Sequence, residues 1–443
     1  MQSVMLLALV VFVATYVLIS IRRFRWFNIE RPTVAMLGAA LMILLGVVTP
    51  EQALGAIDLN ILALLLGMML LVASLELCGF FSWVSLRIIN ASKNQFQFLI
   101  LIMVSTAVLS ALILNDTVVL LFTPIVIRSC RLIKANPIPF LVAEAVSANI
   151  GSVATEVGNP QNAYIATQSG IPFVEFSLRL IPVTAICLIV AIALIWFAFR
   201  RDLMTRTDVP AGPHPNGRRT ILRNEISTPI DCDAASSQVE FKGMDRTVYL
   251  VLGAVMLVFL GFVISPQIHI PLSLVAFMGG AMVLFALPLV NRKVTAKKIL
   301  GGVDWTLLLF FVGLFVVLKG VDVSGLMSEM VKAFELTGAG LTSIAGLSSF
   351  CAILSNLISN VPAVMLLSPL VAGQGSDTLW LALAASSTLA GNATILGAAA
   401  NVIVAETGER MGVEISFRQF VKAGLPITLV TLFISVLLLQ LWP

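Results

Sequence analysis

Two stretches decide how this chain is read: IDLNILALLLGMMLLVASLELCGFF, residues 57–81, and VDWTLLLFFVGLFVVLKGVDVSGLM, residues 303–327. Each opens on an aspartate, runs on through mostly apolar positions, and closes on a carboxylate and a glycine. At a shift of 246 residues Asp58 pairs with Asp304, Gly67 with Gly313, Glu76 with Asp322 and Gly79 with Gly325. About 20 apolar residues are what a helix needs to cross a bilayer, so each stretch reads as a membrane span, and their likeness reads as an internal repeat.

Composition agrees. The 443 residues are 59% hydrophobic and 11% charged, with a mean hydropathy of +1.02, whereas a soluble domain carries about 25% charge. Weak period-2 alternation argues against a transmembrane barrel. Soluble enzymes, nucleic-acid binders and disulfide scaffolds are set aside. The five cysteines, Cys78, Cys130, Cys187, Cys232 and Cys351, have no metal-ligand spacing and read as small buried hydrophobes.

Working outward from the repeat, spans fall near 4–21, 32–50, 57–77, 138–168 and 177–199, then near 247–265, 271–290, 303–320, 378–405 and 423–442. The spans at 138–168 and 378–405 are interrupted. Segments 97–133 and 341–371 are apolar but broken midway, and read as re-entrant hairpins with short arms. The domain plan is a first inverted repeat over 1–200, a cytoplasmic linker over 201–246 holding Pro210, Pro213, Pro215 and Gly217, and a second repeat over 247–443. Five spans per half is an odd number, so the two copies face opposite ways. The positive-inside rule supports this plan: 24 of the 27 Lys and Arg, Arg22 to Arg31 among them, fall in loops it makes cytoplasmic. Only Arg179, Lys319 and Lys332 fall outside. Both termini are expected outside. The expected fold class is an all-α polytopic membrane protein of about ten spans and two hairpins. Paired broken helices in inverted repeats mark secondary transporters.

The breaks carry the chemistry. In hydrocarbon, irregular backbone survives only where it is buried in protein or lines a cavity. The first hairpin tip holds Asn115, Asp116 and Thr117; the second holds Ser359, Asn360 and Val361. The interrupted spans read ANIGSVATEVGNPQN over 148–162, with Thr155, Glu156, Gly158, Asn159 and Asn162, and LAGNATILGAAAN over 389–401, with Asn392, Thr394, Gly397 and Asn401. Gly and Pro permit unwinding, while Asn, Ser and Thr satisfy freed amides or coordinate an ion. All fifteen residues are candidate substrate- or ion-binding positions, with Na⁺ placed, if anywhere, near Asn115, Asp116 and Asn360. Asn115, Thr117, Thr155, Asn162, Asn360, Thr394 and Asn401 are expected to line one cavity. Carboxylates at bilayer depth are costly, so Asp116 and Glu156 are candidates for ion coupling, with Glu144 and Glu76 nearby in sequence. No Lys or Arg occurs in any break, so no basic partner is expected for Asp116. Glu175 with Arg179, and Glu414 with Arg418, read as structural i,i+4 pairs.

These motifs resemble the ion transporter superfamily, from about Pro32 to Leu439. It includes arsenite efflux pumps, Na⁺/H⁺ antiporters, citrate–metal permeases and Na⁺-coupled dicarboxylate and sulfate symporters. LNDTVVLLFTPIVI looks like the Asn-Asp hairpin of the arsenite branch; ISNVPAV and ANIGSVATEVGNPQN look like anion permeases; GNATILGAAANVIVAE is similar to that broad group. The resemblance implies a scaffold and a mobile transport domain, an elevator motion, often a homodimer, and substrate and ion sites at the hairpin tips and broken spans.

The leading expectation is proton-coupled efflux of a small inorganic solute such as arsenite or antimonite. Alternatives are a Na⁺-coupled symporter of an inorganic anion or carboxylate, and a Na⁺/H⁺ antiporter using Asp116. An enzyme would want a Ser–His pair or a metal cluster, and the only histidines are His214, in the linker, and His269, at the outer surface. No cofactor is expected beyond H⁺ or Na⁺ as coupling ion. No phosphate-binding Gly-x-x-x-x-Gly-Lys loop occurs, so ATP coupling by this chain is not expected; association with a separate cytoplasmic ATPase stays open. The expected setting is the lipid bilayer of a prokaryotic inner membrane.

Overall fold

The computed structural model describes residues 2–20, 30–204, 246–336, 340 and 342–441. The linker expected over 201–246, with His214 and Cys232, lies almost wholly outside the described residues, as do Arg22, Arg23 and Arg25. Twenty α-helices and no strand occur among the described residues, and they fall into two series of ten in the same order. The first series is α1 (Gln2–Ser20), α2 (Arg31–Leu44), α3 (Pro50–Ala56), α4 (Leu59–Leu77), α5 (Phe80–Ala91), α6 (Gln95–Leu112), α7 (Asn115–Leu132), α8 (Ile138–Ser152), α9 (Pro160–Ser169) and α10 (Phe173–Leu203). The second is α11 (Arg246–Ile268), α12 (Leu272–Val290), α13 (Ala296–Gly301), α14 (Trp305–Val323), α15 (Leu326–Leu336), α16 (Ile344–Ile358), α17 (Asn360–Ala372), α18 (Asp377–Ala390), α19 (Ala399–Arg410) and α20 (Phe417–Leu441).

The repeated stretches fold alike. Asp58 caps α4 by accepting from the Asn60 amide at 2.9 Å, and Asp304 caps α14 by accepting from that of Leu307 at 3.1 Å. An aspartate at this position satisfies amide groups that have no partner inside the helix. Past the far ends, Gly79 at φ 77° and Gly325 at φ 79° take the left-handed conformation that glycine adopts without strain, and turn the chain into α5 and α15. These two helices, like short α3 and α13, are absent from the span reading, which counts only long apolar runs.

Among the described residues, seven helices are long and apolar enough to cross a membrane: α4, α6, α10, most of α11, α12, α14 and α20. Two expectations change here. The span expected over 32–50 is helical only to Leu44, because Gly46 adopts φ 70° and the chain restarts at Pro50 behind the Thr49 capping box. The arms of the first hairpin are not short: α6 and α7 have 18 residues each, about 27 Å at 1.5 Å per residue. Those of the second have 15 and 13.

Small residues let the two series interlock. A Cβ on Gly67 would lie 2.3 Å from the Ala276 backbone, and one on Gly313 would lie 2.6 Å from that of Ala35. The same contact is thus made twice, α4 against α12 and α14 against α2, each with a glycine or alanine where the backbones meet. Helices α1, α2, α4, α11, α12 and α14 pack as one group around these contacts; α6 to α10 and α16 to α20 pack as another.

Candidate functional site

The four broken segments meet inside the group formed by α6 to α10 and α16 to α20. In the first interrupted span the break runs from Val153 to Asn159. Its polar groups are closed by side chains: the Asn162 amide donates to the carbonyls of Ser152 at 3.0 Å and Thr155 at 2.9 Å. In the second, the Asn401 amide donates to the carbonyls of Gly391 at 2.7 Å and Thr394 at 2.9 Å. The acceptors stand ten and seven residues before the donor in both cases. Asn159 caps α9, with Oδ1 accepting from the Asn162 N–H at 2.8 Å and Pro160 in the first turn, where its missing N–H costs nothing.

Each hairpin tip docks on the break of its own half. The Asn115 N–H donates to the Gly158 carbonyl at 2.9 Å, and Thr155 donates to the Ala111 carbonyl. With its amide oriented to donate, Asn360 reaches the carbonyls of Ser387 and Gly397, each at 3.1 Å. Glycine is required here, because a Cβ on Gly158 would strike the Ser152 carbonyl oxygen at 2.4 Å and one on Gly397 that of Gly391 at 2.5 Å.

Asn149 joins the halves. Its Nδ2 donates to Asn392 Oδ1 at 3.0 Å and Asn401 Oδ1 at 2.9 Å, and its Oδ1 accepts from Asn115 Nδ2 at 3.2 Å. Thr388 does the same from the other side, accepting from Asn159 at 3.2 Å and Gln161 at 3.1 Å. All of these side chains are buried. Asn115 Oδ1 and Asn162 Oδ1 have no protein partner, an arrangement that calls for explanation in a buried site.

In front of this network lies a cavity of about 180 Å³. Of the helix N-termini that border it, four belong to the group of α6 to α10 and α16 to α20: Asn115 and Asp116 of α7, Pro160 and Gln161 of α9, Asn360 and Val361 of α17, and Ala398 and Ala399 leading into α19. Each such end carries roughly half a positive charge and free N–H groups. The opposite wall holds Arg31 of α2, and Asp304 and Thr306 at the start of α14. Asp304 is exposed, so the cavity opens past it. The Asp116 carboxylate lies against the Ala400 backbone amide and in the field of Arg31 and Asp304. Arg31 Nη1 donates to Ser359 Oγ at 3.3 Å.

The cavity therefore differs from the expected one. Asn115, Asp116, Ser359, Asn360 and Val361 border it, whereas Thr117, Thr155, Gly158, Asn159, Asn162, Asn392, Thr394, Gly397 and Asn401 do not. Most of these nine close the helix breaks behind its wall, because their polar groups go to unwound carbonyls and to one another. Glu156 is fully buried, with no partner for either oxygen. Glu144 accepts from Thr123 at 3.0 Å, away from the cavity lining. The basic residue thought absent is present: Arg31, counted with the loop charges, opens α2 and faces Asp116. Of the two i,i+4 pairs, Glu175–Arg179 forms at 3.9 Å; Glu414 and Arg418 form none. Asn149, Gln161, Thr388, Asp304 and Arg31 were not among the candidate site residues. Asn149 and Thr388 sit inside helices, where an isolated polar residue in an apolar run was the available signal.

A helical bundle with paired helix breaks around a small polar cavity is the architecture of a membrane transporter. This chain belongs to the citrate transporter family, whose profile matches residues 16–385. An uncharacterized transporter of Mycobacterium tuberculosis is 33% identical, over 98% of this chain and 97% of that one. The silicon efflux transporter LSI3 of Oryza sativa subsp. japonica is 31% identical over 92% of each. The solved structure of the Alcanivorax borkumensis YdaH transporter shares the fold with a TM-score of 0.55, at 15% identity, covering 99% of this chain and 98% of that one. The protein is an integral membrane transporter of the anion-permease type, not an enzyme.

Proposed function

We propose that the protein is a secondary active transporter that moves a small, oxygen-rich inorganic solute through the 180 Å³ cavity, coupled to H⁺ or Na⁺. The convergence of four helix N-termini on that cavity carries the reading. Their N–H groups suit the lone pairs of an oxyacid or hydroxide, while Asp116 and Asp304 accept from its hydroxyl groups. The leading substrate is a neutral hydroxide of the arsenite or antimonite kind, leaving the cell. The rice relative's name, a silicon efflux transporter, supports that class, because silicon in neutral water is also a small uncharged hydroxide. The second reading is Na⁺-coupled uptake of a small anion; Arg31 at the cavity and the family's description favour it.

The charge topology adds orientation. With the loops rich in Lys and Arg inside, the cavity mouth beside α13 and Asp304 opens to the cytoplasm, both termini lie outside, and the hairpins enter from opposite faces. The group carrying the tips then moves against the α2, α4, α12 and α14 group in an elevator motion. A homodimer in a prokaryotic inner membrane is the proposed setting.

The test is transport in proteoliposomes of arsenite, antimonite, silicic acid, sulfate, phosphate and citrate under imposed H⁺ or Na⁺ gradients. Accumulation of a neutral hydroxide driven by a gradient supports the leading reading. Accumulation of anions alone supports the second, and no accumulation of any of them under either gradient overturns both.

A further inference from the structure

Ion coupling requires that the moving group be held until the ion arrives, and the cavity contains a device suited to that. Two of the side-chain hydrogen bonds that join the two helix groups are Gln168 to Asp58, at 3.2 Å, and Arg31 to Ser359, at 3.3 Å. The second lies in the cavity itself. It starts on α2, which the Gly313–Ala35 contact fixes against α14. It ends on Ser359, the one residue between α16 and α17, held at φ 80°. Arg31 thus holds the hairpin at its turn.

Two carboxylates share the cavity with this bond. Among the described cavity residues these are Asp116 and Asp304, and Asn115, whose buried Oδ1 has no protein partner, borders the cavity beside Asp116. Arg31 makes no ion pair with Asp116: it feels the carboxylate across the cavity while its hydrogen bond goes to a neutral hydroxyl. A cation held by Asp116 would screen that attraction and repel the guanidinium. We propose that Arg31 is a positioning residue that interlocks ion binding with movement. Without the ion it tethers the second hairpin to α2 and faces Asp116; the coupling cation, bound between Asp116 and Asp304, takes over Asp116 and releases the tether. The inference rests on the ion-coupled reading of the same cavity, and adds a residue that would prevent transport without the ion.

The test is thiol labelling at the tip. In a variant with all five native cysteines replaced, Val361→Cys, at the same tip and bordering the cavity, is labelled in proteoliposomes with and without the gradient ion, beside Arg31, Arg31→Lys and Arg31→Gln, so that the Ser359 hydroxyl stays in place. A hydrogen bond to a charged group contributes about 1.5–3 kcal/mol, so its release changes labelling about tenfold or more. With Arg31 the ion should accelerate labelling by that factor. Arg31→Lys should keep the response in reduced form. Arg31→Gln should label fast with or without the ion, and its proteoliposomes, with Val361 restored, should leak solute when the ion is absent. An unchanged ion response in Arg31→Gln overturns the interlock. So does loss of the response together with loss of solute binding in both variants, which would make Arg31 a solute ligand alone. If cysteine-free protein with Val361 intact accumulates solute with no ion dependence, ion coupling itself fails, an outcome separate from either.

Discussion

Asn149 and Asn401, 252 positions apart in sequence, are joined side chain to side chain, Nδ2 to Oδ1, at 2.9 Å. Through this bond the break of one half is tied to the break of the other. Asn149 also serves Asn392 and Asn115. Asn149→Leu therefore leaves several buried amides without partners, each costing about 1–3 kcal/mol. The expected result is a clear drop in Tm in detergent and loss of transport. An unchanged Tm would mean that the breaks are held by backbone packing alone.

The interlocking glycines make a sharper stability test. Gly67→Ala places a Cβ against the Ala276 backbone at 2.3 Å, and forced overpacking costs about 1–3 kcal/mol. Gly253→Ala, in α11, meets nothing within 4 Å and gains up to about 1 kcal/mol of helix propensity. Thermal unfolding should move down for the first and up or not at all for the second. Equal shifts would show that α4 and α12 are not pressed together.

Asp116→Asn keeps the size and hydrogen-bonding capacity of the side chain while removing its charge. We expect folded protein with the wild-type Tm that no longer concentrates solute against a gradient, although exchange between equal compartments can persist. Wild-type accumulation with unchanged pH and Na⁺ dependence would reduce Asp116 to a cap on α7, and Glu156 would be tested next.

Orientation is checked independently. Cysteine at position 214 should be labelled only from the cytoplasm, and cysteine at position 269, in the turn between α11 and α12, only from outside. Labelling of both from one side would remove the inverted arrangement.

How far the sequence could be read depended on the kind of signal. Broken helices were legible because Gly, Pro and Asn inside apolar runs have few other uses. The repeat was legible because Asp58 and Asp304, Gly67 and Gly313 fill equivalent caps and contacts. Helices α5 and α15 were missed because length and hydropathy do not register short helices behind a left-handed glycine. Arg31 was missed for a different reason. A charge count sorts basic residues by the side of the membrane, and a residue at a helix start next to a loop is counted with it, whichever way its side chain reaches. The cavity was drawn too wide because an asparagine that closes a break and one that faces a solute look the same in one dimension.

The two hairpins also differ mechanically. The first turns through two residues, Ile113 and Leu114, so its joint has one more pair of backbone torsions to yield. The second turns on Ser359 alone, in a backbone conformation that non-glycine residues rarely adopt. A one-residue joint has no slack. A push at Ser359 is handed to α16 and α17 together, so the second hairpin should move as a stiffer unit than the first. Motion that starts at the cavity should travel outward along α16 and α17 with little lost on the way.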